Sequence, residues 1–182
     1  MKKRILISNI ITLIVLIIAK PDSLLFFYIG LFFVFLGQTI RFLASATIVK
    51  SSTLTVKGIY SVCRNPLYLG TLTIIFGMGI QLSSSDIKNF ILLWVILLSA
   101  FPYIYYKTIK AEEDFLLSVY KKDFESYKCS VPSLIPKISS IKEIFKKENY
   151  DISAFKKNKE YRGFFGALIA EAVILAKIIY AF

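Results

Sequence analysis

Apolar residues in this chain gather in five runs, over 5–19, 24–44, 66–82, 90–106 and 163–182, with polar and charged residues crowded between them. A soluble core would spread its apolar positions at helical or strand period; here whole segments are apolar on every side. Several runs lie near the lower end of the ~17–25 residues that a helix needs to cross a bilayer. The pattern therefore predicts an all-α, polytopic membrane helix bundle with about five transmembrane helices. Between the fourth and fifth runs, residues 111–128 carry a different pattern. Placed on a helix, Glu113, Tyr120, Phe124 and Tyr127 share one stripe, and Glu112 lines up with Leu116 and Val119. This predicts an amphipathic helix lying at the interface.

Composition agrees: 56% of the 182 residues are hydrophobic and mean hydropathy is +0.64. Lys2, Lys3 and Arg4 precede the first run and give it the look of a signal peptide. No small-x-small cleavage site follows before Lys20, so a retained span is expected.

The net charge of +11 is unevenly placed. Lys and Arg cluster before the first run, between the second and third (Arg41, Lys50, Lys57, Arg64), and between Lys107 and Arg162. The two alternate connectors carry one each, Lys20 and Lys88. Basic loops stay cytoplasmic, which predicts an N-terminus inside, a C-terminus outside, and a multi-pass protein of a prokaryotic cytoplasmic membrane. The same rule accounts for the basic pI through contact with membrane lipids; no basic-aromatic module points to nucleic acid. Arg41, at the end of the second run, is expected to snorkel to the surface. Residues 51–58 are expected to form a hairpin or an extended turn. The Lys-rich stretch 137–162 is expected to be a surface helix plus linker after a core over 1–136, with 163–182 as an additional helix.

The chain has no histidine and two isolated cysteines, Cys63 and Cys129. That composition predicts no metal site and no disulfide, and it removes Ser-His and Cys-His nucleophile pairs. Chemistry must come from elsewhere, and one segment is rich in candidates: Gly58-Ile-Tyr60-Ser-Val-Cys63-Arg64-Asn65-Pro66-Leu-Tyr68-Leu-Gly70. Asn65-Pro66 suits the N-cap and first position of the third helix. The free N–H groups and positive dipole end there suit a carboxylate, such as that of an amino-acid-like cofactor. Gly70, Gly77 and Gly79 are either close-packing points between helices or points of cofactor approach; packing is favoured except at Gly70. Glu171, an ionisable group within the fifth run, is either functional, packed inward or held close to the interface.

The segment 58–70, together with Glu112-Glu113, Phe115, Tyr120, Phe124, Tyr127 and Val131-Pro132…Pro136, resembles the membrane-embedded isoprenylcysteine carboxyl methyltransferases and related phospholipid methyltransferases. Their pattern is Gly-x-Tyr-x-x-x-Arg-His-Pro-x-Tyr-x-Gly, a transmembrane hairpin, then Glu-Glu and a Tyr-rich helix ending in Val-Pro-x-x-x-Pro. The likeness covers about residues 37–136. It implies S-adenosylmethionine as methyl donor and a lipid-like or lipidated acceptor, most like an isoprenylcysteine-type carboxylate. It also implies a cofactor pocket lined by Tyr60, Asn65, Pro66, Tyr68 and Gly70, with Glu112 or Glu113 on the ribose or amino group. Arg64 and Glu113 are the catalytic candidates, Arg64 orienting either the cofactor or an anionic substrate group. Asn65 departs from the family's His. It keeps a donor and an acceptor but takes no proton at neutral pH, so the position is expected to contact cofactor or cap the helix. Phospholipid amine methylation, a nicotinamide-dependent lipid reductase and an inactive membrane scaffold are the alternatives. Oligomeric state is left open.

Overall fold

The structure, a computed structural model, describes residues 2–48 and 53–180. Lys50 and the first residues of the 51–58 connector lie outside the described residues, as do the side chains of Lys2, Lys3 and Arg4. The described residues are helical without a strand: α1 Lys2–Ile18, α2 Leu24–Thr47, α3 Pro66–Gln81, α4 Ile87–Ser130, α5 Ile152–Asn158 and α6 Tyr161–Tyr180. Three of these, α2, α4 and α6, are long and apolar enough to cross a membrane; α1 and α3 are shorter apolar helices. Thr53–Lys57 carries no strand, and a 3₁₀ turn, Gly58–Ser61, follows it. The chain divides into two compact units, each contributed by several separate stretches.

The first unit, Met1–Leu36, Leu72–Tyr106 and Phe165–Phe182, holds its helices together with small residues and a few polar ties. A Cβ on Gly30 would sit 2.3 Å from the Gly77 carbonyl oxygen, and one on Gly77 would sit 2.6 Å from that of Gly30. Lipid removes the hydrophobic drive for helices to associate, so close backbone approach and dispersion must supply it. Phe33, Phe76 and Trp94 stack edge to face beside this contact, and the Trp94 indole N–H donates to Ser83 Oγ at 3.1 Å. Gln81, fully buried, donates to Glu171 Oε2 at 2.6 Å and to the Phe27 carbonyl at 3.3 Å. Glu171 is thus packed inward. Lys177 Nζ donates to the Leu16 and Ala19 carbonyls, closing the C-terminal end of α1. Outward faces are apolar: Leu25, Phe35, Leu98 and Ile169 are all exposed, as lipid-facing residues are.

The second unit, Gly37–Thr71 and Lys107–Phe164, carries most of the polar chemistry. Its core has two parts. Ala44, Ile59 and Tyr60 are buried with Ile40, Leu43, Ile48, Leu67 and Ile144 around them. Phe124, Tyr127 and Val131 are buried with Leu54, Leu116, Leu117 and Tyr120. The aromatic stripe expected over 111–128 therefore faces inward. It belongs to α4, whose two helical parts meet at a kink, with Lys121 at φ 46, ψ −118.

The Lys-rich stretch forms 3₁₀ turns over Ile138–Phe145 and Lys147–Asn149, then the seven-residue α5. It closes the C-terminal end of α2. The Asp151 N–H donates to the Ala46 carbonyl at 2.8 Å, and Asn158 Nδ2 donates to those of Ser45 (2.9 Å) and Ile48 (3.3 Å). A helix end leaves carbonyls without partners, and a distant part of the chain supplies them here. Arg41 differs from its expected role. Its guanidinium bonds Glu160 and Thr71 and is only 22% exposed, because Glu160 brings it an anion and removes the need to reach water.

Candidate functional site

Within the second unit, the chain leaves the Gly58–Ser61 turn, passes Val62–Asn65 and enters α3 at Pro66. Gly58 is needed at the start. Its φ is +56, and a Cβ there would meet the Thr47 and Asn149 side chains at 3.1–3.4 Å. The Asn65 carbonyl accepts from the Tyr68 N–H at 3.1 Å and the Leu69 N–H at 3.0 Å, which makes residue 65 the N-cap position. The exit segment beyond α4 then lies alongside. The Arg64 and Asn65 N–H groups donate to the Pro132 and Ser133 carbonyls at 2.9 and 3.1 Å, and the Lys137 N–H to the Val62 carbonyl at 2.8 Å. Two motifs some seventy positions apart in the chain thus pair backbone to backbone.

Their side chains converge on Glu113. Its Oε1 accepts from Arg64 Nε (3.2 Å) and Nη2 (3.0 Å), from Asn65 Nδ2 (2.9 Å) and from Ser133 Oγ (3.3 Å); Oε2 accepts from Arg64 Nη2 at 3.2 Å. Arg64 Nη1 spans the other way, to the carbonyls of Lys128 and Val131. The planar fork has five N–H donors, and these contacts engage all three of its nitrogens. Both side chains are nearly buried, at 9% and 12% exposure. These contacts occupy both carboxylate oxygens and every nitrogen of the guanidinium. The pair ties the entry to α3 to the last turns of α4.

One helical step away, Glu112 is exposed and accepts from the Tyr68 hydroxyl at 2.6 Å through Oε2. This carboxylate has solvent access and a phenol hydroxyl bonded to it. Of the residues predicted from sequence to hold a cofactor, Glu112 and Tyr68 are accessible, Asn65 is buried against Glu113, and Pro66 is buried.

Tyr60 and Gly70 are both buried. The Tyr60 ring lies in the apolar cluster with Ala44 and Ile59, 6% exposed. Burial, then the nearby Tyr127 and Glu112, pushes its phenol well above the ordinary range. A Cβ on Gly70 would lie 2.7 Å from the Gly37 carbonyl oxygen and 2.7 Å from Arg41 Cγ, so α2 fills the space expected for a cofactor. Cys63 is also structural. Its Sγ donates to the Ser133 carbonyl at 3.2 Å, and burial pushes the thiol up to about 11.

Sequence reasoning missed Ser133, which braces both Asn65 and Glu113. It also missed the Arg41–Glu160 pair. Ser133 lies inside Val-Pro-x-x-x-Pro as a variable position, so its type carried no signal; Glu160 was one acid in a Lys-rich stretch.

A cofactor such as S-adenosylmethionine carries hydroxyl and ammonium donors and a sulfonium. Glu112, with one oxygen bonded to Tyr68, suits the donors, and the Tyr68 ring suits a cation. The donor side of such a site is less provided for, because Arg64 is engaged. Residues 23–123, more than half of the chain, match the phospholipid methyltransferase family.

The chain belongs to the phospholipid methyltransferase family.

This membership covers α2, the 58–70 segment, α3 and most of α4, including Glu112 and Glu113. Two curated relatives are metal-resistance proteins. The cobalt-zinc-cadmium resistance protein CzcN of Cupriavidus metallidurans is 33% identical over 90 residues, covering 50% of this chain and 38% of that protein. The nickel-cobalt-cadmium resistance protein NccN of Alcaligenes xylosoxydans xylosoxydans is 33% identical over 112 residues, covering 60% of this chain and 47% of that one. The chain thus spans less than half the length of either. No solved structure matches it.

Proposed function

We propose that this phospholipid methyltransferase family member transfers a methyl group from S-adenosylmethionine to a lipid-like acceptor at the cytoplasmic edge of the membrane. The observation that carries this is the convergence of the 58–70 segment with Glu112, Glu113 and the 131–136 exit in one unit. An accessible carboxylate, Glu112, sits beside a braced one, Glu113.

Bound there, the cofactor supplies a methyl group on a sulfonium, so the hard chemistry is its own. The protein's part is orientation and exclusion of water. Glu112 would hold the hydroxyl or ammonium donors of the cofactor, with Tyr68 fixing the carboxylate and offering its ring to positive charge. Arg64, Asn65 and Ser133 hold Glu113, which keeps α4 and the start of α3 in register. Arg64 and Glu113 are accordingly positioning residues, not groups that touch the reacting atoms.

The chain has no histidine, no free buried base stands at this site among the described residues, and Glu113 is hydrogen-bonded. That supports an acceptor already nucleophilic at neutral pH, a carboxylate, over an amine that must first lose a proton. The acceptor's tail stays in the hydrocarbon, since the outward faces of the helices are apolar.

The test is transfer of radiolabelled methyl from S-adenosylmethionine by the purified protein into total membrane extract. Alkali then separates ester from amine: base-labile, volatile label marks a carboxyl acceptor, and stable label in the lipid fraction marks an amine. Label in no fraction, with no calorimetric binding of the cofactor, would refute the activity. Glu112→Gln and Tyr68→Phe are expected to weaken cofactor binding, and unchanged affinity in both would remove this site from the proposal.

A further inference from the structure

The stretch after α4 has a feature that the methyl-transfer reading does not use. Ile135, Ile138 and Phe145 are 79%, 80% and 77% exposed, although they lie in the most lysine-rich part of the chain. Lys142 and Lys147 are exposed among them. A soluble surface would not place three large apolar side chains in the open so close together.

Their depth is fixed by the second unit itself. Asp151 and Asn158 close the last carbonyls of α2, and Ile144 packs on the Ala44–Ile59–Tyr60 cluster. The stretch is therefore seated against the end of a helix long and apolar enough to cross a membrane. The end of such a helix lies at the boundary between hydrocarbon and headgroups. Apolar side chains exposed at that depth meet acyl chains, and lysines there meet phosphates.

Charge selects the kind of lipid. Between Lys137 and Arg162 stand eight Lys or Arg and four Asp or Glu. Of the acids, Glu160 is paired with Arg41, which lies outside the stretch. Another acid, Glu143, is paired with Lys146 at 2.7 Å. A net basic surface remains, complementary to an anionic leaflet.

We propose that residues 135–147 dock onto anionic phospholipid, with Ile135, Ile138 and Phe145 inserted at the acyl boundary and Lys142 and Lys147 on lipid phosphates. The contact is independent of any methyl acceptor and of the carboxylates at Glu112 and Glu113. It fastens the chain that closes α2 to the membrane surface.

The experiment uses the full chain with Phe145→Cys and Cys129→Ser, labelled at position 145 with an environment-sensitive fluorophore; buried Cys63 does not compete. The protein is reconstituted in phosphatidylcholine vesicles with and without phosphatidylglycerol. A second label at exposed Glu125, through Glu125→Cys, serves as the reference. Phosphatidylglycerol is expected to shift emission at 145 to the blue. Quenching by aqueous iodide should fall several-fold and quenching by lipid-borne nitroxide should rise, with little change at 125. Lys142→Gln and Lys147→Gln together should return the signal to its phosphatidylcholine value. Equal iodide access in both lipids would overturn the proposal. Protection that follows protein density and not phosphatidylglycerol would also overturn it, assigning the face to a second copy. Methyl-transfer activity does not enter the readout, so failure here leaves the proposed function untouched.

Discussion

Glu113→Gln separates a structural carboxylate from a catalytic one. The substitution keeps size and shape but removes the charge that faces Arg64 and places an amide N–H₂ where donors converge. Four contacts under 3.3 Å are affected: two from Arg64 Nη2, one from Arg64 Nε and one from Asn65 Nδ2. Removing one partner of a buried ion pair costs ~3–5 kcal/mol. Here the two side chains keep 9% and 12% exposure, and Arg64 retains the Lys128 and Val131 carbonyls. A discounted loss of about 2–4 kcal/mol follows. Reversible unfolding in mixed micelles measures it. Arg64→Met alone should cost a similar amount, and Arg64→Met with Glu113→Leu should recover part of the sum, since neither charge is then left alone. Glu112→Gln, on the same turn but exposed, should leave the unfolding midpoint unchanged. A Glu113→Gln protein within about 0.5 kcal/mol of wild type, the range of an ordinary surface change, would refute the assignment of Glu113 to positioning.

Gly70→Ala should destabilise by about 1–3 kcal/mol, because its Cβ meets the Gly37 carbonyl, a backbone atom that cannot swing away; a midpoint equal to wild type would mean α2 and α3 do not approach so closely. Native alkylation at pH 7 should modify exposed Cys129 and spare Cys63, which is buried with its thiol pushed up to about 11. Because the thiolate is the reactive form, labelling of Cys63 in a Cys129→Ser protein should rise only as pH climbs toward that value, or on unfolding; mass spectrometry reads both. Lys121→Gly should stabilise by about 1 kcal/mol, since φ +46 is costly for a side chain with a Cβ and free for glycine; a loss of stability would show that α4 is regular there.

Much of the architecture was legible in the apolar runs, because a membrane segment announces itself by length and composition without needing a partner. The aromatic stripe through Tyr120, Phe124 and Tyr127 was legible for the same kind of reason, as helical period fixes a face. What periodicity does not carry is which polar atom meets which. Asn65 was expected to cap or to touch a cofactor; it does occupy the cap position, and its amide donates to Glu113 and Ser133. Gly70 reads in the sequence as the exception among the glycines, yet it packs as Gly30 and Gly77 do, since only the position of α2 distinguishes a packing glycine from one beneath a ligand. Arg41 was expected to reach for water because its anion, Glu160, lies 119 positions away.

The stretch matched by the family ends at residue 123, while the groups that complete the second unit come later. Ser133 braces Glu113, the Pro132 carbonyl receives Arg64, Asn158 closes α2 and Glu160 neutralises Arg41. A fragment cut at the family boundary would therefore keep the 58–70 segment, Glu112 and Glu113 and lose what holds them in place. Its Arg41 would be without Glu160 beside it, and the end of α2 would lose its partners from Asp151 and Asn158. Shortening this protein from its C-terminus should abolish the fold of the site well before it reaches the motif itself.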